Sequence, residues 1–160
     1  MKAAMATDRI FNFSPGPAVL PVPVLEQVQR DLLCLPGTGV SILEISHRDK
    51  AFIEILESAK AGLKQLLGIP DNYQVLFLQG GSRLQFSMVP MNLLRGTGKT
   101  AEYIVTGSWG KNAHTEAVKE GAVKVAWDGK GTNYDRLPAR GELKLGADAA
   151  YVHVTSNETI

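Results

Sequence analysis

Apolar residues recur along this chain with two periods. Leu25, Val28, Leu32 and Leu35 fall on one face at helical spacing and predict a helix over 22–35, with Pro23 tolerated in its first turn. Pro36-Gly37-Thr38-Gly39 stops it. After a short apolar run at 41–45, Phe52, Ile55, Leu56, Ala59, Leu63, Leu66 and Leu67 form a longer stripe. Gly68 and Pro70 end that second helix, and Ser46 or Asp49 is its expected N-cap. Gln74-Val75-Leu76-Phe77-Leu78 is short and apolar enough for a buried strand. Beyond Gly80-Gly81-Ser82-Arg83, the pattern reads as helix over 84–94 despite Pro90. Strand 102–106, helix 109–120, strand 122–127 and strand 150–155 complete the series. The segment 10–21 carries three prolines and a glycine within seven residues, so it is an extended arm or ordered loop. Strands alternating with amphipathic helices imply an α/β fold, a mainly parallel sheet covered by helices on both faces.

Composition narrows the function classes. At 160 residues the chain is about one domain. With 17 basic and 16 acidic side chains its net charge is +1, which argues against a general nucleic-acid or membrane-surface binder. No apolar run approaches the ~20 residues of a membrane span, and the N-terminus has no secretory apolar core. The single cysteine, Cys34, cannot form an internal disulfide, so a cytoplasmic location is the expectation. Flanked by Leu33 and Leu35, it reads as a small apolar residue.

Candidate chemistry gathers at the ends of the expected strands. Gly80-Gly81-Ser82-Arg83 sits between a strand and a helix. Its glycines let backbone approach a ligand, the helix amides face an anion, and Arg83 adds charge. A phosphate suits this loop, although a tight turn accounts for the same residues. Ser46-His47-Arg48 at a helix start also favours an anion, or is simply a capped turn with solvated side chains. Trp109, just past a strand, stacks on a planar ligand or fills the core. Asn157-Glu158-Thr159 after the last strand is a set of ligand-directed groups or a polar turn. His114 and His153 read as structural. No His, Cys, Asp and Glu spacing suggests a metal. Together these features suit a phosphorylated planar cofactor. Ligands of α/β sheets collect beyond the strand ends. The sequence stops just there, so it reads as the front part of a larger protein.

Four ordered motifs carry a resemblance. They are Asn12-Phe13-Ser14-Pro15-Gly16-Pro17-Ala18-Val19-Leu20-Pro21, Glu44-Ile45-Ser46-His47-Arg48, the stretch from Pro70-Asp71-Asn72-Tyr73 through Gly80-Gly81, and Asn157-Glu158-Thr159. From about Ile10 to the end, the chain resembles the phosphoserine aminotransferase family of fold-type I transaminases, which use pyridoxal phosphate. The resemblance implies an N-terminal extension at 1–9 and an incomplete cofactor-binding large domain, with its arm, at 10–160. It implies that the backbone at Ser82 and Arg83 holds the cofactor phosphate, Trp109 stacks on the pyridine ring and Thr159 contacts the cofactor. Ser82 stands where the family often has glycine; a backbone contact survives this if the loop needs no positive φ there. Arg48, helped by His47, matches the substrate-anion site, and Arg83 is a further candidate for the substrate phosphate.

The implied reaction exchanges an amino group between glutamate and 3-phosphohydroxypyruvate, giving 2-oxoglutarate and phosphoserine in serine biosynthesis. A homodimer is implied as well. The family's Schiff-base lysine, the aspartate at its pyridine nitrogen and its C-terminal domain lie beyond the Asn-Glu-Thr motif. None of the ten lysines here matches that lysine, so the expectation is a chain without its own catalytic residue, inactive unless joined by the missing C-terminal half. An alanine–glyoxylate type of transaminase and a non-catalytic phosphometabolite-binding module are the alternatives.

Overall fold

Prolines and caps set where the first helices begin. Helix α1 (Val22–Leu33) starts after Pro21 with a second proline in its first turn, where a missing N–H costs nothing. Helix α2 (Lys50–Leu67) starts at Asp49, whose carboxylate accepts from the Ala51 N–H at 2.8 Å, and ends at Gly68 in the left-handed region. Asp49, rather than Ser46, is therefore the cap. A computed structural model of the chain describes residues 9–158, in two compact units, one up to Leu76 and one from Phe77.

The unit up to Leu76 holds α1, α2 and their connections. Helix α1 ends two residues before the expected Leu35, and Cys34 is its exposed C-cap rather than a packed apolar residue. Neither helix buries a residue. Residues 10–21 form no helix or strand, as their prolines require.

The expected strand at 74–78 is absent. These residues have no regular structure, and Leu76, Phe77 and Leu78 are 69%, 56% and 51% exposed. An apolar run becomes a strand only when a neighbour takes up its N–H and C=O groups, and the described sheet provides none at this segment.

The unit from Phe77 contains α3 (Gly81–Leu93), β1 (Thr100–Val105), α4 (Ser108–Ala117), β2 (Ala122–Asp128) and β3 (Val152–Val154). The strands form a parallel sheet in the order β2-β1-β3. Alternate residues of the central strand, Ala101, Tyr103 and Val105, pack with Ala113 and Ala117 of α4 and with Leu94 to make the core. Leu94 also fills the space beside Gly121, where a Cβ would meet its Cγ at 2.9 Å. Pro90 is buried within α3 without ending it.

On the opposite face of β1, Glu102 is buried. Its carboxylate accepts from the Gly146 N–H at 2.9 and 3.0 Å and pairs with Lys124 at 3.1 Å. Burial works to raise the Glu102 pKa, but the Gly146 amide and the Lys124 ammonium outweigh it and hold it below the ordinary carboxylate value. These contacts, with the Lys99–Asp148 pair at 2.7 Å, pin the long connection from β2 to β3, which contains only two short 3-10 turns.

Candidate functional site

The parallel sheet places the carboxyl ends of β1 and β3 side by side, and their connections leave in different directions. Strand β1 runs through Thr106 and Gly107 into α4, whereas β3 runs into residues 155–158. A crevice at such a point is where open α/β sheets receive ligands. A cavity of about 570 Å³ lies there, lined by Gly80, Gly81, Ser82, Arg83, Phe86, Trp109, Thr155, Ser156 and Asn157.

The first wall is the start of α3. Gly80 (φ 93°) and Gly81 (φ 59°) are both left-handed, and a Cβ on Gly80 would lie 2.5 Å from Leu84 Cδ2 and 2.7 Å from Leu84 Cβ. Glycine at position 80 is required on both counts. The first intrahelical bond runs from Leu84 N–H to Gly80 C=O at 3.3 Å, and no side chain caps the helix. The N–H groups of Gly81, Ser82 and Arg83 thus have no partner within α3, and these residues line the cavity at the positive pole of the helix. Ser82 has an ordinary negative φ, so the condition on which its glycine-to-serine difference was harmless is met.

The second wall is aromatic. Trp109, half-buried in the first turn of α4, faces Phe86 with ring centres 6.3 Å apart and planes tilted 46°. Phe86 in turn sets its edge against His153 at 6.1 Å. His153 stacks on Tyr103 at 4.8 Å and bonds Thr155 Oγ1 through Nε2 at 3.3 Å. Burial lowers the His153 pKa, against a smaller raising effect of the Glu158 carboxylate, so the ring is held neutral at pH 7. Tyr103 and Tyr151 share a hydrogen bond of 2.8 Å behind it. The structural role expected of His153 and His114 fits these contacts, since His114 also sets its edge on Tyr103.

The structure therefore brings Ser82, Arg83 and Trp109 into one cavity. His47 and Arg48 lie in the other unit, exposed, in the turn before α2, where Ser46 Oγ accepts from the Arg48 N–H at 3.2 Å. Among the described residues neither side chain forms a hydrogen bond or ion pair. Thr159 lies outside the described residues. No group of three potential metal-ligating side chains occurs among the described residues, and no helix of theirs is long and apolar enough to cross a membrane.

Sequence reasoning missed Phe86 and Thr155, and it singled out Glu158 only within Asn157-Glu158-Thr159, as a ligand-directed group or part of a polar turn. Phe86 could have been found as the residue one turn beyond the glycine loop on the ligand side of the helix. The capping role of Glu158 carried no local signal, because its partners are the N–H groups of Trp109 and Gly110, 49 and 48 residues earlier.

Comparison with known proteins gives a consistent picture. The Aminotransferase class-V profile matches residues 10–160. Phosphoserine aminotransferase of Rhodopirellula baltica is 52% identical over 158 residues, spanning 99% of this chain. Its namesake from Listeria innocua is 52% identical over 156 residues. The chain covers 42% of each of these relatives, so it spans less than half their length. Among solved structures, the Bacillus circulans phosphoserine aminotransferase superposes with a TM-score of 0.85 at 46% identity, over 96% of this chain and 42% of that one. The Trichomonas vaginalis enzyme, described as bound to PLP, gives 0.85 at 37% identity, over 95% and 43%. The cavity at the ends of β1 and β3 is thus part of a class-V aminotransferase domain, and the chain belongs to the class-V aminotransferase family.

Proposed function

We propose that the cavity is the phosphate-and-ring side of a pyridoxal phosphate site. In the whole protein, this site would transfer an amino group between glutamate and 3-phosphohydroxypyruvate. The observation that carries the reading is the meeting of three unpaired helix amides and Arg83 with the Trp109 plate in one cavity. The donor set fits the group. Amides at a helix N-terminus and a guanidinium suit a phosphate, and a tilted indole on an apolar wall suits an aromatic ring. Relatives named phosphoserine aminotransferase at 52% identity support this over an alanine–glyoxylate type or a non-catalytic binding module.

Bound pyridoxal phosphate would supply the electron sink for transamination. The chain's own residues hold and orient it. The amides of 81–83 and Arg83 take the phosphate through charge-assisted hydrogen bonds, each contributing roughly 1.5–3 kcal/mol. Trp109, backed by Phe86, fixes the tilt of the ring and keeps water from one face. Thr159 extends this set as a further contact. Arg48, with His47, recognises the substrate anion; the free state of both side chains supports this. The lysine that bonds the cofactor is supplied from outside these 160 residues, as the 42% coverage of the relatives supports. The whole protein works in the cytoplasm as a homodimer.

The test compares pyridoxal phosphate with pyridoxal in the full-length protein carrying this segment. The phosphate should tighten binding by well over about tenfold, and Arg83→Ala should remove about tenfold or more of that advantage while the backbone amides keep the rest. Equal affinity for the two compounds would overturn the phosphate seat. Replacing Arg48 by Ala should weaken a phosphorylated substrate more than an unphosphorylated one.

A further inference from the structure

We infer that Glu158 is a positioning residue that sets the orientation of Trp109, an inference that takes the cavity to be the cofactor site proposed above. Helix α4 begins after Gly107, which has no side chain with which to cap it. The cap comes from far along the chain. Glu158 Oε2 accepts from the Trp109 N–H at 2.7 Å, and Oε1 accepts from the Gly110 N–H at 2.9 Å and from Thr106 Oγ1 at 3.3 Å. A carboxylate here also sits on the positive pole of α4.

The enclosure is built around this group. A Cβ on Gly107 would lie 2.6 Å from Glu158 Cδ, and one on Gly110 would lie 3.1 Å from Oε1. Gly107 has φ 169°, extended backbone open to any residue, so its lack of a side chain serves space and not conformation. One of the two donated N–H groups belongs to Trp109 itself, and the acceptor follows directly on Thr155, Ser156 and Asn157, which line the same cavity. Glu158 therefore ties two walls of the cavity together and fixes where the indole plane lies.

The experiment uses the full-length protein with its other tryptophans, Trp127 included, replaced by phenylalanine. Trp109 emission is recorded without cofactor, and pyridoxal phosphate affinity is measured by absorbance. Glu158→Ala should shift the emission to the red and weaken the cofactor about tenfold, the size of a lost helix cap. Glu158→Gln, which keeps one acceptor oxygen, should fall between the two. Gly107→Ala, which displaces the carboxylate by crowding, should reproduce the shift and keeps the test open if Glu158→Ala does not fold.

In a Trp109→Ala background, Glu158→Ala should cost no further affinity. An undiminished tenfold loss in that background would overturn the inference, as would unchanged emission in Gly107→Ala and Glu158→Gln. Shifted emission with cofactor affinity untouched by Glu158→Ala and by Trp109→Ala would support the positioning role. It would overturn instead the assignment of the cavity to the cofactor.

Discussion

In the unit from Phe77 onward, Ala101, Tyr103, Val105, Ala113 and Ala117 disappear from solvent; in the unit up to Leu76, Ser41 is the only described residue to do so. The second unit's helices carry the weaker pattern, yet they bury more. Helix α4 packs small residues on β1, and α3 continues through a buried proline. Helices α1 and α2 have the longer apolar stripes and bury none of them. Periodicity names the face that wants cover, but cover itself needs a second layer at the right distance.

Four experiments on the 160-residue chain can break or sharpen that contrast, taken from the largest effect downward. Leu94→Ala removes a core side chain that is 2% exposed and should cost about 2–5 kcal/mol in urea unfolding. The same change at Leu67, 69% exposed, should stay within about 0.5 kcal/mol. Similar costs at the two leucines would mean that α2 is covered in solution and the contrast fails. Gly80→Ala combines a left-handed φ with a collision on Leu84 and should cost about 2–3 kcal/mol, with loss of pyridoxal phosphate affinity in the full-length protein. Unaltered unfolding would mean that the loop before α3 is softer than the core behind it.

The third experiment uses acid. The folded pKa of Glu102 lies below its ordinary value of 4.5, so its stabilisation is present above pH 4.5 and is lost as pH falls below it. The Tm gap between the chain and Glu102→Gln should therefore be full at pH 7 and shrink as the pH falls below 4.5. A gap that stays constant would show that charge is not what holds the connection to Gly146. The last experiment belongs to the first unit. Asp49→Ala removes the cap of α2 and should cost about 1 kcal/mol, seen as reduced helicity by circular dichroism. A much larger loss would mean that α2 governs the folding of its unit instead of standing on local signals.

Legibility in the sequence follows the same division between local and distant causes. Both ends of α2 were readable, since Asp49 and Gly68 act within one turn of themselves. Pro90 inside α3 did not mislead, because its flanking apolar residues kept helical spacing. The glycine pair at 80–81 pointed to a loop that approaches a ligand, and the structure puts it on the cavity with Ser82, Arg83 and Trp109. The strand at 74–78 was misread because an apolar run does not reveal whether a neighbour exists to bond it. The end of α1 was misplaced because Leu35 continued the stripe after the backbone had left the helix at Cys34. Glu158 was unreadable as a cap. Ser108 lies inside the helix, and the acceptor arrives from beyond β3.

That late arrival has a consequence for synthesis on the ribosome. Trp109 leaves the exit tunnel 49 residues ahead of the carboxylate that holds it. At roughly 5–20 residues per second, the interval is roughly 2–10 s, far longer than a helix or a hairpin needs to form. Once β2 has followed, β1 can pair with it while β3 is still to come, and α4 stands without its cap throughout. The indole and the strand edge beside it are open to whatever the nascent chain meets. Vectorial synthesis therefore assembles the core of this unit first and its cavity last.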